Sequence, residues 1–323
     1  MKIKNESPSI GIVSTIKAPE YQVREFVEYY LKNGINKLFL FFDDPNDPSL
    51  KLYKDDKRVI SISCSNEYWA FQKNGQFEKL DTSIIIYRQR INASYALELA
   101  RESGISWLCH IDIDEIIYPV KRLKQFLGRT HFKSIRFTVM EAVPETLKSP
   151  AYISDIRLFK KPASLYFPTM LRYPFNSLKL IIARSIGLRL FFEINNDYFR
   201  GHMKSKMCFR TDLPIKEVRI HKPVYRRKVI TYRTLRILLL HYEGIDHVKW
   251  VEKWRDRIRS SNLRNAYRPS TFRLLQKITE LSLSNPSEED FINLYMKLYL
   301  FQKKDKRLLV IFGLIKRVNP FTV

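Results

Sequence analysis

The sequence predicts an α/β protein whose central sheet is mostly parallel and is flanked by helices. Apolar runs of strand length recur through residues 1–140, and segments with the apolar spacing of amphipathic helices separate them. Strands of a parallel sheet are covered on both faces and are therefore continuous apolar runs. Acidic residues directly follow two of these runs, at the end of the strand where such sheets bind ligands.

The elements of this sheet can be assigned in order. The first predicted strand is SIGIVSTI, and a helix follows in PEYQVREFVEYYLKNG, between Pro19 and Gly34. The second strand is KLFLFFDD, which ends in Asp43 and Asp44, and the third is RVISIS. The next helix is ASYALELARESG, ending at Gly104, and the fourth and fifth strands are SWLCHIDIDE and KSIRFTV.

The pattern changes after residue 150. Strands are predicted in KSKMCFR, EVRIHKP and RILLLHYEG, with basic loops between them. From Asp246 onward the apolar spacing is helical, in HVKWVEKWRDRI, STFRLLQKITELSL and SEEDFINLYMKLYLFQ. Ser287 to Asp290 is typical of the acidic first turn of a helix. We therefore expect a helical C-terminal extension.

The composition favours a folded protein in a reducing compartment. Of the 323 residues, 45% are hydrophobic and 13% aromatic. Cys64, Cys109 and Cys208 lie far apart, which argues against a disulfide framework. A signal-peptide pattern and any run of about 18 apolar residues are both missing from the sequence. We expect a cytoplasmic protein that is soluble or peripheral on the inner face of the membrane.

The charge is unevenly distributed along the chain. Residues 1–150 contain 22 Lys and Arg against 19 Asp and Glu, whereas residues 151–323 contain 35 against 14. A strongly basic half predicts an anionic partner, such as a membrane surface, a nucleic acid, or an acidic glycan or lipid. A solvated basic face without a partner is the alternative.

The segment WLCHIDIDEIIYP contains the tightest acidic cluster of the sequence, Asp112, Asp114 and Glu115. Residues i and i+2 of a strand share a face, about 6.5–7 Å apart. Hard cations such as Mg²⁺ and Mn²⁺ bind one or two carboxylates together with substrate phosphates. The cluster thus predicts a metal site for a nucleotide diphosphate. Alternatively, the acids are a solvated strand end and a helix cap for the segment that follows Pro119.

The stretch RQRINASYALELARESGISWLCHIDIDEIIYP resembles the donor-binding core of GT-A glycosyltransferases, especially family 2 and the related family 92-like group. EYQVREFVEYYLKNGINKLFLFFDDPNDPS is similar to the same group, and KSKMCFRTD, EVRIHKP and LLHYEGIDHVKWVEKW follow in the group's order. The resemblance implies a Rossmann-like GT-A domain at 1–258, with a nucleotide-sugar-binding part at 1–140 and an acceptor-side part at 141–258. Residues 259–323 lie outside the resemblance, and we expect them to form a basic helical extension that associates with a membrane.

The resemblance implies transfer of a sugar, with inversion, from a UDP-hexose to an acceptor hydroxyl of a cell-surface glycan or glycolipid. Such a reaction belongs to polysaccharide or lipopolysaccharide biosynthesis and would use Mn²⁺ or Mg²⁺, bound by Asp112 and Asp114. The implied donor-binding residues are Ser14, Thr15, Asp43, Asp44, Arg90 and Asn92. The sequence departs from the family pattern at residues 92–94, where NAS replaces the usual Arg-Asn-Gly arrangement.

Further candidates follow from the order of the elements. Inversion needs a general base, and Glu141 and Glu145 in TVMEAVPET are the nearest candidates, with solvated loop acids as the alternative. His221 and His241 are each predicted to end a strand. Each is a candidate for a third metal ligand or for a phosphate contact, and a structural role is the alternative. Lys204 and Lys206 alternate along one predicted strand, where they would neutralise the diphosphate.

The basic clusters suit an anionic membrane surface. They are YRRK at 225–228 and the tail KKDKRLLVIFGLIKRV, whose short apolar run would enter the lipid interface. For residues 307–317 a helix docked on the core is the alternative.

Two rival functions remain open at this stage. DIDEI is similar to the DxDx(T/V) signature of haloacid-dehalogenase phosphohydrolases, whose first Asp is a nucleophile. A pI of about 9.9 also suits a nucleic-acid-binding protein. No nucleic-acid partner is expected, because the sequence lacks helix-turn-helix, RNP-type and zinc-finger patterns.

Overall fold

The computed structural model shows two compact units, each built from two segments of the chain. Unit 1 comprises Met1–Thr138 and Lys204–Leu239, and unit 2 comprises Val139–Met203 and Leu240–Val323. The first boundary, between residues 138 and 139, lies beside the predicted one at 140, and the predicted division at 258 stays a prediction. The residues that the structure describes are 7–73, 77–165, 167, 169–190, 198–201, 203–259, 269–284 and 286–321.

The strands of the described residues alternate with helices through the first part of the chain, as an α/β protein requires. In chain order the strands are β1 (Ile10–Ile16), β2 (Lys37–Phe42), β3 (Val59–Ser63), β4 (Trp107–His110), β5 (Glu115–Tyr118), β6 (Ser134–Ala142), β7 (Leu158–Lys160), β8 (Met207–Arg210), β9 (Ile215–Arg219), β10 (Lys222–Tyr225), β11 (Thr231–His241) and β12 (Ile315–Arg317).

The longest helix of the described residues is Ile85–Glu102, with 18 residues, and four helices follow one another in the C-terminal part, where the apolar spacing predicted helices. In chain order they are α1 (Glu20–Lys32), α2 (Asn66–Lys73), α3 (Ile85–Glu102), α4 (Val120–Leu127), α5 (Tyr152–Asp155), α6 (Pro174–Ser185), α7 (His247–Arg259), α8 (Pro269–Leu283), α9 (Glu288–Tyr299) and α10 (Lys303–Ile311). Short 3-10 helices lie at Pro48–Lys51 and Thr169–Arg172.

The main sheet of unit 1 has the strand order β6-β8-β4-β1-β2-β3. Strands β4, β1, β2 and β3 are parallel to one another. Strand β8 is antiparallel to both β4 and β6. The α/β prediction is therefore confirmed, but the sheet is mixed rather than mostly parallel. An apolar run shows that a strand is covered on both faces and does not show its direction, so MCFR in β8 could not reveal this.

Helix α3 covers the parallel strands with small side chains. Ala93, Ala96 and Ala100 are fully buried in a core that includes Phe41 and Leu108. Alanines three and four residues apart share one helix face and allow the helix backbone to approach the sheet closely. The helix begins at Ile85, eight residues before the predicted ASYALELARESG. Its first turns were not predicted because polar residues interrupt their apolar spacing.

Two sequence-predicted strands have a different form in the structure. The predicted strand SWLCHIDIDE ends at His110, and a turn at Ile113 and Asp114 separates it from β5. The predicted strand EVRIHKP is a hairpin, in which antiparallel β9 and β10 are joined by a turn at 220–221. His221 therefore lies in a hairpin turn and does not end a strand.

In unit 2 the last residues of β6 pair with β7, and β7 pairs with β12, both antiparallel, so that β6 continues the same sheet. Helices α7, α8 and α9 share one apolar core, to which Trp250, Ile278 and Tyr295 contribute. The predicted acidic first turn of α9 is confirmed as a capping box between Ser287 and Asp290. Residues on both sides of the predicted boundary at 258 thus pack in the same unit.

The C-terminal tail is docked in unit 2. Leu309, Leu314 and Ile315 are buried, and β12 pairs with β7. Residues 307–311 thus belong to a docked helix, as the alternative has it, but residues 315–317 form β12, and Val310 and Ile311 are exposed. Within the described part of the chain, no helix combines the length and apolar character needed to cross a bilayer.

Candidate functional site

The carboxyl ends of the four parallel strands of unit 1 lie at one edge of the sheet, and the first turns of α3 reach three of them. Arg88 donates two hydrogen bonds to the carboxylate of Asp43, directly after β2 (2.6 and 2.8 Å). Gln89 Nε2 donates to Oδ1 of Asp112, after β4 (3.2 Å). Asn92 Nδ2 donates to the hydroxyl oxygen of Thr15 in β1 (3.0 Å). One helix therefore fixes polar side chains at this edge, where parallel sheets bind ligands.

The acidic cluster forms the turn between β4 and β5. Glu115 is buried, and its Oε2 accepts a hydrogen bond from the backbone N–H of Asp112 (3.0 Å). The N–H of Glu115 donates in return to the carbonyl of Asp112 (3.0 Å). Asp112 and Asp114 are half-buried, with 30% of the Asp112 side chain exposed. Glu115 thus holds the turn, while Asp112 and Asp114 present carboxylates at the edge of the sheet.

A buried ammonium group balances part of this negative charge. Lys206 Nζ lies 2.7 Å from Oδ2 of Asp112 and 3.8 Å from Oε2 of Glu115, and only 1% of the Lys206 side chain is exposed. Burial alone would lower the pKa of Lys206, but the carboxylates of Asp112, Glu115 and Asp114 more than offset it, so that its pKa is raised. Lys206 is therefore protonated at neutral pH.

The predicted pairing of Lys204 and Lys206 on one strand face is wrong. Both residues precede β8, and Lys204 is exposed whereas Lys206 is buried. Alternation along the sequence suggested a shared strand face, but the extended strand starts only at Met207.

The residues of the acidic turn fit a hard divalent cation. Three carboxylates, Asp112, Asp114 and Glu115, face one ammonium, which leaves an excess of two negative charges among these four side chains. Carboxylate oxygens are the ligands that Mg²⁺ and Mn²⁺ prefer.

His110 is buried in β4, and burial first, then the charge of Lys206, lowers its pKa to about 3. It is therefore a neutral residue of the core beside the turn.

Asp43 and Asp44 differ in their surroundings. The pair of Asp43 with Arg88 is mostly buried, with 9% and 17% of the side chains exposed. Asp44 is exposed, and its Oδ1 accepts the N–H of Asn46 in the following turn (2.9 Å). Of the two, Asp43 is the carboxylate whose position is fixed at the strand end.

Asn92 and Thr15 belong to a buried hydrogen-bond network. The Oδ1 atom of Asn92 accepts the hydroxyl of Tyr68 in α2 (2.8 Å) and lies 4.0 Å from Sγ of Cys64. The Asn92 side chain has no exposed surface, and Ser14 in β1 is also fully buried. This position favours a role for Asn92 in joining β1, α2 and α3 over the predicted direct contact with a donor.

Arg90 contacts a carboxylate of β9. Its Nη2 donates to Oε2 of Glu217 (2.6 Å), and Arg219 pairs with the other oxygen of that carboxylate. The guanidinium also lies over the ring of Tyr87, 5.4 Å from its centroid. The structure therefore shows Arg90 joining α3 to the β9–β10 hairpin.

The two predicted base candidates lie in unit 2 and differ sharply in exposure. Glu141 has no exposed surface, forms an ion pair with Lys160, and accepts the backbone N–H groups of Arg200 (3.0 Å) and Gly201. Glu145 has 52% of its side chain exposed and pairs with Lys306 (2.9 Å). These contacts favour an anchoring role for Glu141 over that of a general base.

His241 lies beside the same buried cluster of unit 2. Its Nε2 is 3.5 Å from Oε2 of Glu243. A Cβ atom at Gly201 would lie 2.8 Å from the His241 ring and 3.1 Å from Oε2 of Glu141, so only glycine fits there. The predicted roles of His221 and His241 as metal ligands stay predictions.

The sequence did not predict Arg88, Gln89 or Glu217 as residues of the site. Arg88 and Gln89 belong to the polar first turns of α3, which were not predicted as helix. The quoted RQR element was a signal for this region, but only the helical geometry shows that its first two residues face the strand ends while Arg90 reaches β9.

Comparison with known proteins gives distant matches. No protein-family model matches the chain. Two Arabidopsis thaliana proteins named glycosyltransferase-like are 20% identical over 190 residues and 22% identical over 172 residues. These alignments cover 50% and 48% of this chain, and the chain spans only 41% and 34% of the relatives' lengths.

One solved structure that aligns with the chain is that of HddC from Yersinia pseudotuberculosis. The alignment has 12% identity and a TM-score of 0.33, and covers 76% of this chain and 99% of HddC. A TM-score of 0.33 does not establish a shared fold. The names of the two plant relatives therefore support a transferase of the glycosyltransferase type at a coarse level only.

Proposed function

We propose that this protein is a GT-A-type glycosyltransferase that transfers a sugar from a nucleotide diphosphate donor to an acceptor hydroxyl. The observation that carries the proposal is the acidic turn of Asp112 and Asp114 at the carboxyl ends of four parallel strands, with the first turns of α3 fixed over it. Parallel sheets bind nucleotides at this edge. The names of the two distant plant relatives support the same class of reaction.

The cation in this proposal is Mn²⁺ or Mg²⁺, held by Asp112 and Asp114. When bound, it would neutralise the charge that develops as the nucleoside diphosphate leaves. Gln89 and Lys206 orient the Asp112 carboxylate, each through one of its oxygens. In this proposal Asp43, whose carboxylate is paired with Arg88, accepts a hydrogen bond from the ribose or base of the donor.

The finer details of the reaction are also part of the proposal. A UDP-hexose is the proposed donor, and the hydroxyl of a glycan or glycolipid is the proposed acceptor, with inversion at the sugar carbon. Of the two base candidates, Glu145 has the exposure that an acceptor hydroxyl requires. Glu141 is held by its buried partners.

Thermal unfolding with UDP and Mn²⁺, together and separately, tests the donor site. At ligand concentrations about 100-fold above Kd the stabilisation should be about 2.7 kcal/mol, which is a shift of several degrees. The shift should require both components and should be lost in Asp112→Asn and Asp114→Asn. Asp55→Asn is the matched control, because Asp55 is an exposed acid outside the turn and is not among the implied donor-binding residues.

A screen of UDP-, GDP-, CDP- and dTDP-sugars then measures hydrolysis or transfer. If no nucleotide diphosphate shifts the melting temperature with any divalent cation, the glycosyltransferase proposal fails. Release of phosphate from small phosphoesters, abolished by Asp112→Asn, would favour the phosphohydrolase alternative instead.

A further inference from the structure

Helix α6 of unit 2 is apolar on two opposite faces. Ser177, Leu180 and Ala183, spaced three residues apart, are buried on one face. The other face carries exposed side chains at Phe175 (81%), Leu178 (56%) and Ile182 (41%). With 100° per residue, this second stripe lies opposite the buried one. A helix that is apolar all round is normally covered on both sides.

Exposed apolar side chains also lie next to the helix in the sequence. Leu171 in the preceding 3-10 helix and Ile186 directly after α6 are exposed (61% and 55%). Single exposed apolar side chains are common on protein surfaces, but a continuous stripe marks a surface that binds something.

Helix α10 adds to the same region of unit 2. It contacts α6, and its Val310 and Ile311 are exposed. These are the residues of the tail's apolar run that are not docked in the core.

The charged residues of the segment that contains α6 have one sign, whereas Asp305 of the neighbouring α10 is buried and accepts the backbone N–H of Arg189 (3.0 Å). Residues 161–190 contain five basic residues and neither Asp nor Glu; the basic ones are Lys161, Arg172, Lys179, Arg184 and Arg189. The ammonium groups of Lys179 and Lys161 lie 3.9 and 4.0 Å from the position of a Cβ atom at Gly313. Burial, together with the charges of Lys179 and Lys316, lowers the pKa of Lys161, which places these three lysines in one cluster.

We propose that this face of unit 2 docks on an anionic lipid membrane, with the α6 stripe in the interface and the lysine cluster on the headgroups. An apolar stripe flanked by basic residues is the pattern of interfacial helices, which lie in the plane of the bilayer surface. A protein partner could also bury the apolar stripe, but the positive charge of residues 161–190 favours lipid phosphates. The surface predicted from sequence consisted of YRRK at 225–228 and the tail, with the apolar contact from the tail, whereas here α6 provides most of the apolar contact.

Vesicle flotation of the full chain tests this surface. The protein should bind phosphatidylcholine vesicles that contain about 30% phosphatidylglycerol and should bind pure phosphatidylcholine weakly, with binding that falls as salt rises. The triple variant Phe175→Ser, Leu178→Ser, Ile182→Ser should bind at least about 100-fold more weakly. Lys161→Gln, Lys179→Gln, Lys316→Gln should also weaken binding by about 100-fold.

Leu283→Ser is the matched control. Leu283 in α8 is 82% exposed and lies outside the stripe, so this variant should bind vesicles as the wild type does. A Phe175→Trp variant gives a second measurement, because its fluorescence should shift to the blue and be quenched by brominated lipids when the helix enters the interface.

Three outcomes would overturn the proposal. The wild type could fail to bind anionic vesicles, or the serine triple variant could bind them as tightly as the wild type. In the third, sedimentation would show a dimer that the serine triple variant converts to a monomer while vesicle binding is retained, and the stripe would then be a contact between copies. Since the assay uses no nucleotide, its result is independent of the proposed sugar transfer.

Discussion

Nζ of Lys206 lies 2.7 Å from Oδ2 of Asp112, so that a buried ammonium group occupies one side of the carboxylate proposed to bind a metal ion. Lys206 and a divalent cation would therefore share the negative charge of one turn. Removal of Lys206 should therefore change how strongly a cation stabilises the protein.

The variant Lys206→Met tests whether Lys206 and a bound cation compete for the same carboxylates. Removing the ammonium leaves three carboxylates without their buried counter-ion, and should lower the free energy of unfolding by about 1–3 kcal/mol, less than for a wholly buried pair because Asp112 is partly exposed. Mn²⁺ should then raise the melting temperature of the variant more than that of the wild type. Equal Mn²⁺ shifts in both proteins would show that Lys206 and the cation do not share the same carboxylates.

Asp43→Asn and Asp44→Asn form a matched pair. Asp43→Asn breaks a mostly buried bidentate pair with Arg88 and should lower the free energy of unfolding by about 1.5–3 kcal/mol. Asp44→Asn should change it by less than about 0.5 kcal/mol, because Asp44 is exposed. Urea unfolding of both variants measures the difference, and similar values for the two would contradict the proposed fixing of Asp43.

Asn92→Ala should destabilise the protein by about 1–3 kcal/mol, because it leaves the buried hydroxyl groups of Thr15 and Tyr68 without this partner. Tyr68→Phe removes one of the two bonds and should cost less, about 0.5–1.5 kcal/mol. A double-mutant cycle between Asn92 and Tyr68 measures the coupling. Additive effects would mean that the network does not act as a unit. If Asn92→Ala instead leaves stability unchanged and weakens nucleotide binding, the original prediction of donor contact is right.

Glu141→Gln and Glu145→Gln separate anchoring from catalysis. Glu141→Gln leaves the buried charge of Lys160 without its counter-ion and should cost about 3–5 kcal/mol. Glu145→Gln removes an exposed pair and should cost no more than about 1 kcal/mol. A Glu141→Gln protein of unchanged melting temperature that has lost transfer activity would restore Glu141 as the base.

Alkaline pH should destabilise the protein in part through Cys64. Burial first, and then the nearby Asp43, raises the pKa of the Cys64 thiol from 9.0 to about 12. The unfolded chain thus loses this proton at lower pH than the folded protein. The stabilisation is fully present below pH 9, and is lost as pH rises from 9 towards 12.

Cys64→Ser is the variant that isolates this effect, since serine does not titrate there. Between about pH 8 and about pH 10 the wild type should lose about 1 kcal/mol more stability than the variant. Urea unfolding at both pH values gives the four numbers needed. Parallel losses in the two proteins would mean that Cys64 is not protected from ionisation in the folded state.

The sequence by itself determined the parallel half of the sheet and the position of the acidic turn. Continuous apolar runs such as KLFLFF predicted β1 to β4 correctly, because only strands covered on both faces need such runs. Asp112 and Asp114 were assigned to the edge of the sheet because they directly follow one of these runs.

Only the tertiary structure decided the partners of those residues. Lys206 reaches Asp112 from a segment far along the chain, and Glu217 reaches Arg90 over a separation of 127 residues. Periodicity reports which face of an element is covered, but it contains no information on which distant segment covers it. For the same reason the sequence could not show that β8 is antiparallel, that EVRIHKP is a hairpin, or that one face of α6 is left exposed.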